Sequence, residues 1–147
     1  MEAKMIVVKN TNELSPKELI DILKARVEVF VVEQNCPYQE VDADDYNDLH
    51  LCLIEDKKLK AYTRIINKGD HITFGRVLVV KNYRHNGLGE KIVAATIDEI
   101  KQRFPNQPIQ IQAQAYLQKF YEGFGFKPIS KVYLEDNIPH LDMRMTF

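Results

Sequence analysis

Residues 77–104 read VLVVKNYRHNGLGEKIVAATIDEIKQRF, and the joint inside this stretch decides how the chain is organised. Val77-Leu78-Val79-Val80 is an apolar run with the composition of a buried strand. Ile92, Val93, Thr96, Ile97 and Ile100 recur at helical spacing, and the pattern stops before Pro105. Between the two stand Arg84, Gly87 and Gly89. A helix N-terminus presents unpaired N–H groups and the positive end of its dipole, and glycines let the preceding turn bring those groups close to a phosphate. Arg84 adds a fixed positive charge. Neither familiar phosphate loop is present: GxxxxGK[ST] does not occur, and Ile92 stands where a dinucleotide fingerprint needs a third small residue. The joint is either an anion cradle of another kind or a glycine turn that only reverses the chain.

Upstream, HLCLIED (50–56), KLKAYTRII (58–66) and HITFGRVLVV (71–80) are joined by turns at Asp56-Lys57 and Asn67-Lys68-Gly69-Asp70, the pattern of an antiparallel meander. Before them comes a short strand over Lys4 to Val8 and a helix opened by Ser15-Pro16-Lys17-Glu18. Ser15 can cap it, Pro16 suits the first helical position, and Glu18 completes a capping box. Leu19, Ile20, Leu23, Val27 and Phe30 form its apolar stripe, which gives way near Val31. Val32 to Leu49, with Pro37, two asparagines and many aspartates, reads as a long loop with room for a helical turn, and loops of that length are usually functional or disordered. Downstream, IQIQAQA (109–115) is a strand, YLQKFYEGF (116–124) a short helix ended by Gly125, and VYLED (132–136) and HLDMRMTF (140–147) are closing strands. No repeat, low-complexity tract or linker interrupts the order. It predicts one α/β domain over residues 1–147, a mixed sheet with helices on both faces.

The 147 residues are 45% hydrophobic and 28% charged with a formal net charge of -1, enough for a real core and no basis for binding nucleic acid or an anionic membrane. MEAKMIVVKN has too short an apolar core for a secretory signal, and no run approaches the roughly 20 apolar residues of a membrane span, so a cytoplasmic protein is expected. Cys36 and Cys52 form no CxxC and are read as free packing thiols. His50, His71, His85 and His140 are scattered without ligand spacing, so no metal is expected.

Read as [RQ]xxGx[GA], Arg84-His85-Asn86-Gly87-Leu88-Gly89 resembles the acyl-CoA loop of the GNAT superfamily of N-acetyltransferases. Some thirty residues on, Gln114-Ala115-Tyr116-Leu117-Gln118-Lys119-Phe120-Tyr121-Glu122-Gly123-Phe124-Gly125-Phe126 is similar to that family's final motif, a short helix carrying FYxxxGF. VFVVEQNCPYQEVDADD, AYTRI, GRVLV and the closing EDNIPHLDM resemble one branch, the ElaA-like proteins. The resemblance runs from Arg26 to Met143. It implies a mostly antiparallel sheet of six to seven strands, splayed between strands 4 and 5, and transfer of an acetyl group from acetyl-CoA to an amine. Val77, Leu78 and Val79 would line the pantetheine arm, with one of their N–H groups polarising the thioester carbonyl. Arg84 and the N–H groups of His85, Asn86, Gly87, Leu88 and Gly89 would hold the pyrophosphate, with Lys91 a weaker candidate. Gln114 stands where many relatives carry asparagine, and Tyr121 matches the tyrosine that protonates the departing thiolate. Without the motif, Tyr121 reads as core.

The amine side is open to more than one reading. Between Val27 and Asp56 there is no lysine or arginine, while Glu28, Glu33, Glu40, Asp42, Asp44, Asp45, Asp48, Glu55 and Asp56 are acidic. Such a loop either attracts a cationic amine or is simply solvated; DADDYND lacks the glycine and glutamate of an EF-hand calcium loop. Glu33 follows an apolar run, where desolvation would raise its pKa and suit it to base work, or it serves a structural ion pair with Arg26 or Arg64. Gln112, on the central strand, and His140, before the last one, are further acceptor-binding candidates. The acceptor is expected to be a small-molecule or peptide amine. The closing strand, if exposed, offers pairing between subunits, which leaves monomer and homodimer both open. The competing readings are an acyl-CoA-binding sensor without turnover and an enzyme like the acyl-homoserine-lactone synthases.

Overall fold

A computed structural model describes residues 4–146. Met1 to Ala3, within the stretch read for a leader, and Phe147, at the end of the expected closing strand, lie outside them. The chain runs β1 (Met5–Asn10), α1 (Pro16–Val27), β2 (Leu49–Glu55), β3 (Lys58–Asn67), β4 (Ile72–Val79), α2 (Leu88–Arg103), β5 (Ile109–Gln114), α3 (Gln118–Glu122), β6 (Lys127–Pro128), β7 (Tyr133–Glu135) and β8 (Ile138–Met145). One sheet orders them β1-β2-β3-β4-β5-β8-β6, with β7 also paired to β8. Every pairing is antiparallel except β4 with β5. The sheet has one strand more than expected because β6 is only two residues long, one of them proline, and leaves no alternation to read.

Local chemistry explains the ends. Ser15 accepts from the Glu18 N–H while the Glu18 carboxylate accepts from the Ser15 N–H, the reciprocal cap that opens α1. Past Val27 the chain continues as a π-helical turn over Glu28–Glu33, so the helical path reaches the point where the apolar stripe ends. Asp56 and Lys57 in the β2–β3 turn, and Asp136 and Asn137 in the β7–β8 turn, all take positive φ, as two-residue hairpins require.

The two faces are covered separately. On one, Ile92, Val93, Ile97 and Ile100 of α2 pack with Leu51, Leu53, Ile65, Phe74, Ile109, Ile111, Tyr121 and Phe126. On the other, Ile22 and Ala25 of α1 pack against Cys52, Tyr62 and Leu78. Both cysteines are free and buried, and burial pushes the Cys52 thiol up to about 12, which suits packing rather than reactivity. The closing strand is not an edge: β8 is bonded to β5 on one side and to β6 and β7 on the other, which removes it as a site for pairing between subunits. Among the described residues no helix is long and apolar enough to cross a membrane.

Candidate active site

The parallel pair β4 and β5 meets at a single position, Ile72 with Ile109, held by the Ile72 N–H donating to the Pro108 carbonyl at 2.9 Å. Beyond it the strands part. The cause lies in β4, where Arg76 adopts φ 50 and the register against β3 slips between Tyr62 and Arg64, so that Arg76 and Val77 together oppose Thr63. Such a bulge adds one residue to a strand and reverses which face its later side chains point to. Phe74 accordingly belongs to the α2 face and Leu78 to the α1 face, although they are an even number apart. The Val80 N–H donates to the Lys60 carbonyl at 2.9 Å. N–H groups alternate along a strand, so that of Leu78 also turns to β3 while those of Val77 and Val79 turn to the open gap.

At the end of β4 a turn of 3-10 helix leads to Arg84, His85 with φ 68 and Gly87 with φ 75, and α2 begins. Unlike α1, this helix has no side-chain cap, so its first N–H groups keep their hydrogen-bonding capacity. Gly87 has a conformational reason to be glycine. Gly89 has none: its backbone is helical, and a Cβ built there would meet no atom within 4 Å. The protein does not need that space, which is what a cradle for an external anion requires. Arg84 donates to the Val79 carbonyl at 2.9 Å and lies beside the opening. Asn86 turns its side-chain amide back to the Tyr83 carbonyl, and Lys91 sits next to Lys4, whose ammonium holds its pKa down; neither side chain lines the gap.

A cavity of about 1080 Å³ passes through the gap and is lined from both faces, at the upper end of ordinary ligand sites. On the α2 side it reaches Tyr121, which is 5% exposed and packed edge-on against Phe120 and Phe126. Burial, with a smaller push from Tyr116, raises the Tyr121 phenol to about 12. On the other side β5 and β8 offer a polar wall. Ile109, Ile111 and Ala113 alternate into the core, so Gln110, Gln112 and Gln114 face the cavity opposite Arg144, Asp142 and His140.

The family described as "Acetyltransferase (GNAT) domain" matches residues 11–147. The chain belongs to the GNAT acetyltransferases. It is 40% identical to protein ElaA of Escherichia coli K12 over 137 residues, 90% of each chain. The crystal structure of E. coli ElaA superposes with a TM-score of 0.90 at 38% identity, covering 95% of this chain and 98% of that one. An acyl-CoA N-acyltransferase from Pseudomonas aeruginosa superposes with a TM-score of 0.92 at 37% identity, covering 97% and 99%. The acyl-homoserine-lactone synthase BjaI shares the fold at a TM-score of 0.80 but only 16% identity. This GNAT protein is thus an acyltransferase drawing on acyl-CoA.

The acidic segment of this GNAT chain divides between the two sequence readings and a third: Glu28, Asp44 and Asp56 are exposed, Asp42 and Asp44 line the cavity, and the remainder of its middle part is spent on arginines. Glu40, Asp45 and Asp48 are buried and Asp42 half-buried, and their counter-charges come from three arginines outside the segment. Arg26, wholly buried, contacts both Asp45 oxygens at 2.7 and 2.9 Å and both Glu40 oxygens at 3.1 and 3.2 Å. Arg64 binds Asp42 in the same two-pronged way and approaches Asp45 at 3.2 Å and Asp48 at 3.5 Å. Arg76, the bulge residue, pairs with Glu40 at 2.7 Å and donates to its carbonyl at 2.9 Å. The network straps residues 38–48 across the α1 face, where they form one rim of the cavity. Among the described residues no His, Cys, Asp or Glu cluster is arranged to hold a metal ion.

The ion pair of Glu33 differs from the one expected. The residue lies exposed on the π-helical turn, and its carboxylate is 2.8 Å from the Arg84 guanidinium, not near Arg26 or Arg64. Its side chain, 30% exposed, lines the cavity together with that of Arg84.

Asp48 carries a pH prediction. Burial raises its carboxyl to about 7, partly offset by Arg64 and reinforced by the neighbouring aspartates. Between about pH 4 and pH 7 the folded state then keeps a proton that the unfolded chain gives up, so this group lowers stability as pH rises through that window. Asp48→Asn should remove that loss. Melting curves at pH 5 and pH 8 check it: the variant's gain over wild type should be larger at pH 8, and an equal gain at both would contradict the assignment.

Proposed function

We propose that the protein transfers an acetyl group from acetyl-CoA to a primary amine by direct attack with both substrates bound. The observation that carries this is the uncapped start of α2, with unfilled space beside Gly89, at the mouth of a gap toward which two N–H groups of β4 turn. Arg84 and the N–H groups around Gly87 to Gly89 bind the pyrophosphate; the Val77 and Val79 N–H groups take the pantetheine arm and polarise the thioester carbonyl; Gln114 adds a polar contact. Tyr121 protonates the leaving thiolate, and Gln112 and His140 face the acceptor. Amide formation from a thioester asks for these contributions: a polarised carbonyl, a proton for sulfur and a neutral amine.

A thermal-shift comparison of acetyl-CoA, free CoA, ATP and NAD tests the donor. At about 100 times its Kd a ligand adds roughly 2.7 kcal/mol, a rise of about 5–10 °C in the midpoint for a domain of this size. The two CoA species alone should produce it; an equal response to ATP would overturn the assignment. Gly89→Ala should separate binding from folding. Its melting point should hold or rise slightly, because alanine costs less than glycine in a helix, while acetyl-CoA affinity falls about tenfold or more. An unchanged affinity would remove Gly89 from the site.

A further inference from the structure

His140 is held in a way that a turn histidine has no need of. Its Nδ1 lies 2.7 Å from the Ile138 carbonyl, and a carbonyl only accepts, so Nδ1 carries the proton. The neutral ring then has its lone pair on Nε2, for which no partner stands among the described residues. The ring stacks on Tyr133 at 6.3 Å and 22°. Tyr133 is fixed in turn by donating its hydroxyl to Asp142 at 2.6 Å, and the Asp142 N–H is anchored on the Ser130 hydroxyl at 2.8 Å. Strand register sets His140 beside Gln114 at the end of β5, on the polar wall of the cavity that Tyr121 enters through the gap. Of the other histidines, His50 is held between Thr11 and Tyr62, away from the cavity; His71 and His85 line it too, but His71 is bonded to Asp70 and His85 belongs to the turn that opens α2, whereas His140 stands on the polar wall of β5 and β8.

We propose that His140 is the general base for the acceptor amine, taking its proton on Nε2, with Tyr133 and Asp142 as positioning residues. The inference rests on the amine acetyltransferase function above. As the amine nitrogen bonds to the acetyl carbon and the carbon–sulfur bond breaks, one N–H proton passes to Nε2 and the Tyr121 proton passes to sulfur. The imidazolium and phenolate so formed return to neutrality through solvent, and the products are the amide and free CoA.

Two measurements on the full chain test this. Nitrogen-15 NMR of the histidine rings, with the His140 signals assigned by their loss in His140→Asn, should show protonated Nδ1 and unprotonated Nε2 in the neutral ring; the opposite tautomer overturns the proposal. In kinetics, benzylamine serves as the acceptor probe with saturating acetyl-CoA, and release of the CoA thiol is followed. His140→Asn keeps a donor for the Ile138 carbonyl but has no base, so kcat should fall by about 10²-fold or more. The shift produced by acetyl-CoA should stay the same, and added imidazoles should restore turnover in order of their basicity rather than their size. Wild-type thiol release by the variant sinks this proposal alone. Failure of wild type itself to release thiol, with acetyl-CoA still bound, sinks the amine function and this proposal together.

Discussion

Tyr121→Phe is expected to lower kcat for acyl transfer by about 10²–10⁴-fold while leaving the stabilisation by acetyl-CoA unchanged. The ring is built into the core through Phe120, Phe126 and Phe74, and phenylalanine preserves all of those contacts. Only the hydroxyl is lost, and it makes no hydrogen bond among the described residues, so folding stability should hold. Burial, helped by Tyr116, raises the phenol to about 12, so it stays protonated throughout the neutral range, as a proton donor to a thiolate must. Steady-state turnover beside a thermal-shift titration separates the outcomes. Lost turnover with retained binding supports the acid role. Unchanged turnover makes Tyr121 a packing residue, and a chain that only sensed acyl-CoA would have no turnover to lose.

The largest effect on stability is expected from Arg26→Met. The side chain is wholly buried, and its removal leaves Glu40 and Asp45 facing each other with only Arg64 and Arg76 as partial compensation. Breaking a buried ion pair from one side costs about 3–5 kcal/mol, a fall of roughly 10–15 °C in melting point for a domain of this length. Neutralising the acids as well, in Arg26→Met with Glu40→Gln and Asp45→Asn, should recover part of that loss, because the penalty lies in the orphaned charges rather than in the missing attraction. A fall of less than about 1 kcal/mol in the single variant would mean that water or the other arginines replace Arg26. Opposed charges also act on the two groups themselves. Burial alone would lower the Arg26 pKa and raise that of Asp45, but their contact reverses both shifts and keeps each ionised.

Much of this was legible residue by residue. The Ser15 and Glu18 cap, the meander from His50 to Val80, the handover at Gly87 and the helix ending before Pro105 all rest on interactions within a few positions, which is the range over which sequence pattern reports. The splay between β4 and β5 came from resemblance rather than pattern, and its physical device, the bulge at Arg76, carries no sequence signal. An arginine in the left-handed region is uncommon and is imposed by the neighbouring strands. The ion partner of Glu33 was misjudged because Arg84 lies far along the chain and only the fold brings the two together. The acidic segment was misjudged because its counter-charges lie on α1, β3 and β4, far away in the chain.

From the letters alone came the order of elements, the glycine joint between strand and helix, and the family, since each depends on short-range spacing or on recurring motifs. The fold had to supply the partners: Glu33 with Arg84, Arg26 with Glu40 and Asp45, His140 with Tyr133 and the Ile138 carbonyl. Charges and hydrogen bonds act over a few ångströms of space whatever the separation along the chain, so which acid is spent on an arginine and which histidine keeps a free lone pair is settled only when the strands are in register.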